Sequence, residues 1–163
     1  MVEQEEVVAA LGAKSAPIEF PDGLIGMDEW HQFEIISHPA GGSLRLLQSL
    51  EDPRMSLILM PPLEILPDYR LLLAEGDASK LKYSGGSGPL PADSADISVY
   101  CILSIQEEPF LVTANLLGPL VINWATGLGV QVIASDSNYN PRHPLVSGSQ
   151  PQETPDAATQ REA

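Results

Sequence analysis

Two apolar runs joined by one short glycine-bearing loop constrain this chain more than any other feature. Leu120-Val121-Ile122 and Val130-Gln131-Val132-Ile133 flank Asn123-Trp124-Ala125-Thr126-Gly127-Leu128-Gly129. Short apolar runs around a loop with two glycines read as a β-hairpin. The wider stretch, Thr113 to Leu145, carries no nucleophile elbow, no His-Glu-x-x-His, no Cys-x-x-Cys and no phosphate-cradling glycine loop. A segment this distinctive with no chemical group to offer points toward binding rather than catalysis.

The same pattern repeats along the chain. Phe33–Ser37 and Leu44–Gln48 are short runs around a turn-rich link, and Met55–Met60 is an apolar run stopped by Pro61-Pro62. Tyr69–Ala74 follows the turn Pro67-Asp68. Ile97–Ile105 is the longest run, and Phe110–Ala114, Leu120–Ile122 and Val130–Ala134 complete the set. Short runs punctuated by Pro and Gly predict an antiparallel sandwich or barrel. Helix signals are scarce: Asp77–Lys82 can make one or two turns, with Asp77 as N-cap. Gly23-Leu24-Ile25-Gly26 reads as a tight turn that tucks Leu24 and Ile25 into the core.

A chain of 163 residues suits one domain with its own core. Residues 1–15 read as a loose acidic leader, 16–146 as the β domain, and 147–163 as a disordered polar tail. That tail has no large apolar residue with which to offset its ordering entropy. Tyr83–Ala95, rich in Gly, Ser and Pro, reads as a flexible excursion. No apolar run is long enough to span a membrane, and the acidic N-terminus lacks the basic start of a secretory signal. The lone Cys101 lies inside an apolar run and reads as a small buried hydrophobe, which fits a cytoplasmic home.

Charge narrows the partners. The chain carries 22 acids and 8 bases, a net charge of −14. Setting aside residues 1–8 and 147–163 still leaves −9 on the body. Such a body repels phosphates, which argues against direct nucleic-acid binding. It suits a basic protein partner, whose approach it would steer.

Chemical constellations are missing elsewhere too. His31, His38 and His143 have no metal-ligand spacing, and one cysteine cannot complete a thiolate site, so no metal or cofactor is expected. Asp28-Glu29, Glu51-Asp52 and Glu107-Glu108 are adjacent carboxylates beside turns. On a strand, neighbouring side chains point to opposite faces, so such pairs do not converge for acid–base work. They read as solvated turns, with an acidic contact for a basic partner as the sharper alternative. Asn115 and Asn123 read as satisfying backbone groups in turns. The chain reads as a binding protein, not an enzyme.

Six motifs then occur in order: FPDGLIG (20–26), LLQS (46–49), LPDYR (66–70), TANLLGPLVIN (113–123), QVI (131–133) and YNPRHPL (139–145). This set resembles the flagellar assembly factor FliW family over about residues 18–145. The resemblance implies an all-β, mainly antiparallel fold, a small β-barrel-like single domain with little helix. It implies a cytoplasmic protein that binds flagellin before export. It also implies that the protein binds the translational regulator CsrA and relieves its repression of flagellin synthesis. Met60–Leu66 departs from the family pattern, which commonly has Asn-Pro followed by aromatics. The expected partner surface is Pro61, Leu63, Pro67, Asp68, Tyr69 and Arg70, with Glu107 and Glu108 as an acidic contact. A generic β-barrel protein for a small apolar ligand is the alternative, and it requires a deep apolar cavity.

Overall fold

A computed structural model describes residues 14–37, 42–91, 96–135 and 137–148. Most of the expected leader (residues 1–13), the end of the expected excursion (92–95), His38 and nearly all of the expected tail (149–163) lie outside the described residues.

The first half of the barrel is β1 (Lys14–Glu19), β2 (Gln32–Ser37), β3 (Arg45–Ser49) and β4 (Ser56–Met60). The second half is β7 (Ile97–Glu107), β8 (Phe110–Ala114), β9 (Leu120–Asn123), β10 (Leu128–Gln131) and β11 (His143–Gly148). Between the halves run a 3-10 turn (Pro62–Glu64), the two-residue strands β5 (Leu72–Leu73) and β6 (Gly88–Pro89), and helix α1 (Glu75–Leu81). The strand order is β11-β8-β7-β4-β3-β2-β1-β10-β9, and β9 pairs back onto β7. The ring β7-β4-β3-β2-β1-β10-β9 therefore closes, and closure removes the exposed edges an open sheet would carry. Every pairing in it is antiparallel except β1 with β10, which meet in parallel at Glu19 and Leu128.

The longest strand is apolar from Val99 to Leu103 because it feeds two cores there. Tyr100 and Ile102 of β7 point into the barrel, beside Phe20, Phe33, Leu47, Leu59, Leu120 and Ile122. Ile97, Val99, Cys101 and Leu103 point outward into a second core with Leu71, Leu73, Leu81, Leu116 and Val121. A strand buried on both faces shows no polar alternation. The outer core is roofed by the connection from Pro61 to Pro91, including α1. Asn123 pins that roof by donating from Nδ2 to Leu81 O at 2.9 Å. Each large apolar side chain fully buried this way contributes about 1.5–3 kcal/mol before entropy is counted. Cys101 is a free, buried thiol in that core, and its Sγ donates to Met60 O at 3.1 Å. Burial pushes the thiol up to about 11.

The motif TANLLGPLVIN spans a break between two strands that share one edge of β7. Tyr100 pairs with Leu120 and Leu103 with Ala114, so two residues of β7 stand against the five of Asn115–Pro119. The surplus arches outward. Asn115 Oδ1 holds the arch by accepting the N–H groups of Leu117 (3.1 Å) and Gly118 (2.9 Å). Asn123 Oδ1 likewise accepts the Ala125 N–H at 3.1 Å in the hairpin turn. Both asparagines thus have the turn role read from the sequence.

Several local expectations are corrected. Tyr69–Ala74 is not a six-residue strand: only Leu72–Leu73 pairs, and Tyr69 closes a turn by donating its N–H to Leu66 O. Val130–Ala134 leaves the ladder after Gln131. Val132 and Ala134 instead donate to Pro119 O and Leu117 O of the arch. The helix is Glu75–Leu81 with Ala74 at its N-cap and no side-chain cap, so Asp77 lies inside the first turn. Leu24 is buried at 1% exposure, but Ile25 is 59% exposed at the apex of its turn. Gly26 at φ 82° supplies the left-handed corner after Ile25, and Leu24 and Met27 bond across the turn. β1 begins at Lys14 and β11 runs to Gly148, beyond the limits 16 and 146 expected for the β domain.

Candidate functional site

The connection over the outer core does not lie flat. Between Pro61–Leu72, Pro89–Pro91 and the first residues of β7 it leaves a cleft of about 730 Å³. The prolines create it. Pro61-Pro62 ends β4 because proline cannot donate to a ladder, and Pro62 starts the 3-10 turn. That turn sends Leu63 outward at 37% exposure. The second turn, Leu66-Pro67-Asp68-Tyr69, puts Pro67 and Asp68 at its exposed corner.

All six residues expected around this loop, Pro61, Leu63, Pro67, Asp68, Tyr69 and Arg70, line the same cleft. Their roles divide. Tyr69 is only 8% exposed and its hydroxyl donates to Leu116 O at 2.7 Å, tying the loop to the arch. Its ring stacks on Tyr139 with centroids 4.3 Å apart. Burial drives its hydroxyl well above the ordinary tyrosine range, with Tyr139 as a lesser contributor, so it stays a neutral donor. Tyr139 Oη in turn accepts the Arg70 N–H at 2.8 Å. This explains the LPDYR and YNPRHPL motifs together: two tyrosines brace the loop against β11's approach. Leu63, Pro67, Asp68 and Arg70 remain exposed and free to touch a partner.

Glu107 and Glu108 lie elsewhere. They sit exposed at the turn between β7 and β8. Tyr100 at the cleft and Glu107 are seven residues apart on one strand, which is about 23 Å. The structure does not bring them to the cleft. The pair Glu51-Asp52 is structural: Glu51 Oε1 accepts the N–H groups of His31 (2.6 Å) and Gln32 (3.1 Å). Those bonds hold its carboxyl below the ordinary value. Asp52 binds Arg54 at 3.2 Å.

Leu72, 58% exposed, also lines the cleft, as do Pro89 and Pro91. Sequence reading missed them because Leu71-Leu72-Leu73 shows no polar alternation and the two prolines fell in the presumed excursion. The Pro-Leu-Pro spacing around Leu90, itself packed on the outer core, was the available signal.

Inside the barrel the described core side chains are closely packed. Phe20, Phe33, Leu47, Leu59, Leu120 and Ile122 are all at 0% exposure. Gly129 is needed there because a Cβ on it would stand 2.7 Å from the Phe20 ring. Among the described residues, no group of three or more His, Cys, Asp or Glu could hold a metal ion. No helix among them is long and apolar enough to cross a membrane.

A closed barrel with, among the described residues, a tightly packed interior and a broad apolar cleft on its outside defines a small β-barrel protein. Comparison with known proteins makes this specific. The family model described as FliW protein matches residues 2–145. "Flagellar assembly factor FliW" of Clostridium beijerinckii is 33% identical over 79% of this chain and 86% of its own length. Its namesake in Symbiobacterium thermophilum is 33% identical over 80% of this chain and 90% of its own. A solved structure, "Crystal structure of the flagellar assembly factor FliW", matches with a TM-score of 0.65 at 28% identity. That match covers 78% of this chain and 84% of the other. The chain belongs to the FliW family.

Proposed function

We propose that this chain is a cytoplasmic, non-enzymatic assembly factor that binds flagellin and the translational regulator CsrA, and so couples flagellin synthesis to export. Flagellin and CsrA occupy it alternately. While flagellin is unexported it holds the factor, and CsrA is left to repress translation. After export the factor returns to CsrA.

The observation that carries this reading is the external cleft in a FliW-family barrel. It gathers Pro61, Leu63, Pro67, Asp68 and Arg70 on a loop braced from behind by Tyr69 and Tyr139. Exposed apolar residues on a rigid, proline-shaped loop suit an apolar segment of flagellin, because little loop entropy is lost on binding. The net charge of −14 suits CsrA, which must present positive charge to RNA. Glu107 and Glu108 supply an acidic contact away from the cleft.

A displacement titration tests the scheme. CsrA bound to the labelled chain should be released by flagellin in a saturable way. Retention of CsrA at saturating flagellin, with both bound together, rules out alternate occupancy.

A further inference from the structure

Beyond Leu103 the strand β7 leaves the barrel. Its last pairing with β4 is Leu103 to Ile58. From Ser104 to Glu107 it pairs only with β8 among the described residues, and β8 pairs onward with β11. A three-stranded ribbon therefore projects past the barrel, with β7 beyond Leu103 as one open edge and β11 as the other among the described residues. Asn115 donates its N–H to Ile102 O at 2.9 Å. The even-numbered residues of this part of β7 thus direct their main-chain groups toward β8, and those of Ile105 and Glu107 face the open β7 edge.

One face of the ribbon also gathers exposed apolar side chains beside the acid at its tip. Ile105 pairs with Val112 and Glu107 with Phe110, so all four side chains share a face. Ile105 is 54% exposed and Phe110 43%. Glu107 and Glu108, both exposed, cap its tip. Natural proteins usually cover, bulge or charge an open edge to prevent pairing. Here the charge is confined to the tip while the apolar residues lie beside the edge.

We propose that this ribbon is a docking edge for an extended segment of a basic partner, which adds as a strand alongside Ile105–Glu107. Main-chain bonds to the open edge supply affinity. Apolar side chains of the segment cover Ile105 and Phe110, and its basic residues meet Glu107 and Glu108. A second copy of this chain is a poor occupant, since it would bring a second set of the same acids to the tip of a molecule already at −14. The inference rests on reading Glu107 and Glu108 as the acidic contact, and deepens it into a binding mode.

The probe is a labelled octapeptide of alternating lysine and valine, titrated against the full chain by fluorescence anisotropy. Three comparisons accompany it: the same peptide with methylated backbone nitrogens, a glutamate–valine peptide, and the variant E107K/E108K. Binding of the lysine–valine peptide alone is expected, weakened about tenfold or more by E107K/E108K, as for loss of close charge contacts. Amide shifts in nuclear magnetic resonance should concentrate at Ser104–Glu107 and spare Leu63 and Leu72. Equal binding by the methylated peptide overturns strand addition while leaving the acidic contact standing. Unchanged binding by E107K/E108K removes the acidic contact itself. Shifts confined to the cleft, or self-association through the ribbon in sedimentation, overturn the proposal.

Discussion

Replacing Gly129 by alanine tests whether the barrel is as full as its burial pattern says. In an ordinary strand the change is favourable, since it trims the freedom of the unfolded chain by about 0.4–1 kcal/mol. Here the new Cβ meets Phe20 Cε2 and Cζ at 2.7 Å and Ile122 Cδ1 at 3.1 Å. Carbon atoms prefer about 3.5–4.0 Å, so the ring must retreat by roughly 0.8 Å. It has nowhere to go: Phe20 is at 0% exposure, and its ring meets Phe33 edge-on at 5.5 Å. Overpacking of this kind costs about 1–3 kcal/mol. Set against the gain in the unfolded state, G129A should lose about 1–2 kcal/mol. For a domain of this size that lowers Tm by about 3–6 °C. Urea denaturation of G129A, F20L and the double variant separates the causes. F20L alone should lose stability, as core substitutions do, but it makes room. The double variant should therefore cost at least about 1 kcal/mol less than the sum of the singles. Additive losses, or a more stable G129A, would refute the argument and reopen the barrel as a container for a small ligand.

Other outcomes follow from the same structure. Glu51 has its carboxyl held below its ordinary 4.5 by the His31 and Gln32 N–H groups. Its stabilising effect is complete above that ordinary value and disappears as pH falls through the lower folded-state value. Melting curves of wild type and E51Q should therefore differ at pH 7 and converge in acid, whereas a gap unchanged with pH would deny the carboxylate this role. Tyr139→Phe removes the acceptor of the Arg70 N–H, and should cost about 1 kcal/mol in urea denaturation while loosening the cleft loop. Equal amide exchange at Arg70 in both proteins would count against that brace. E107K/E108K should weaken CsrA binding in calorimetry, steeply so at low salt. An affinity that ignores both the substitution and the salt removes the electrostatic account.

Much of the fold was legible because short apolar runs and turn residues act locally. The β9–β10 hairpin is one instance, and β7, β8 and β4 are others. What escaped depended on distant partners. Ile25 reads as core until Gln131 Oε1 is seen accepting its N–H at 2.8 Å, holding it at the turn's apex. Val132 and Ala134 extend an apolar run, yet the arch at Leu117–Pro119 takes their N–H groups and ends the ladder. β11 was hidden by Pro144, which the strand tolerates because it lies at the sheet's edge. In the site, the loop residues were found as a cluster because prolines mark them. That Tyr69 braces the loop while Leu63 faces out was set by Leu116 and Tyr139, 47 and 70 residues away in sequence. Leu72 and the ribbon's Ile105 and Phe110 carried no sequence mark at all, since exposure on an apolar strand is decided by what fails to cover it.

The most direct test of the central claim is calorimetric titration of flagellin into the full chain, beside the variant L63K/L72K. Both leucines are exposed, at 37% and 58%, so the variant should fold with stability within about 0.5 kcal/mol of wild type. Wild type should bind flagellin, and the variant should bind about tenfold or more weakly, as when apolar anchors of an interface are replaced by charge. No binding by wild type, or equal binding by the folded variant, would contradict the assignment of the cleft as the flagellin site.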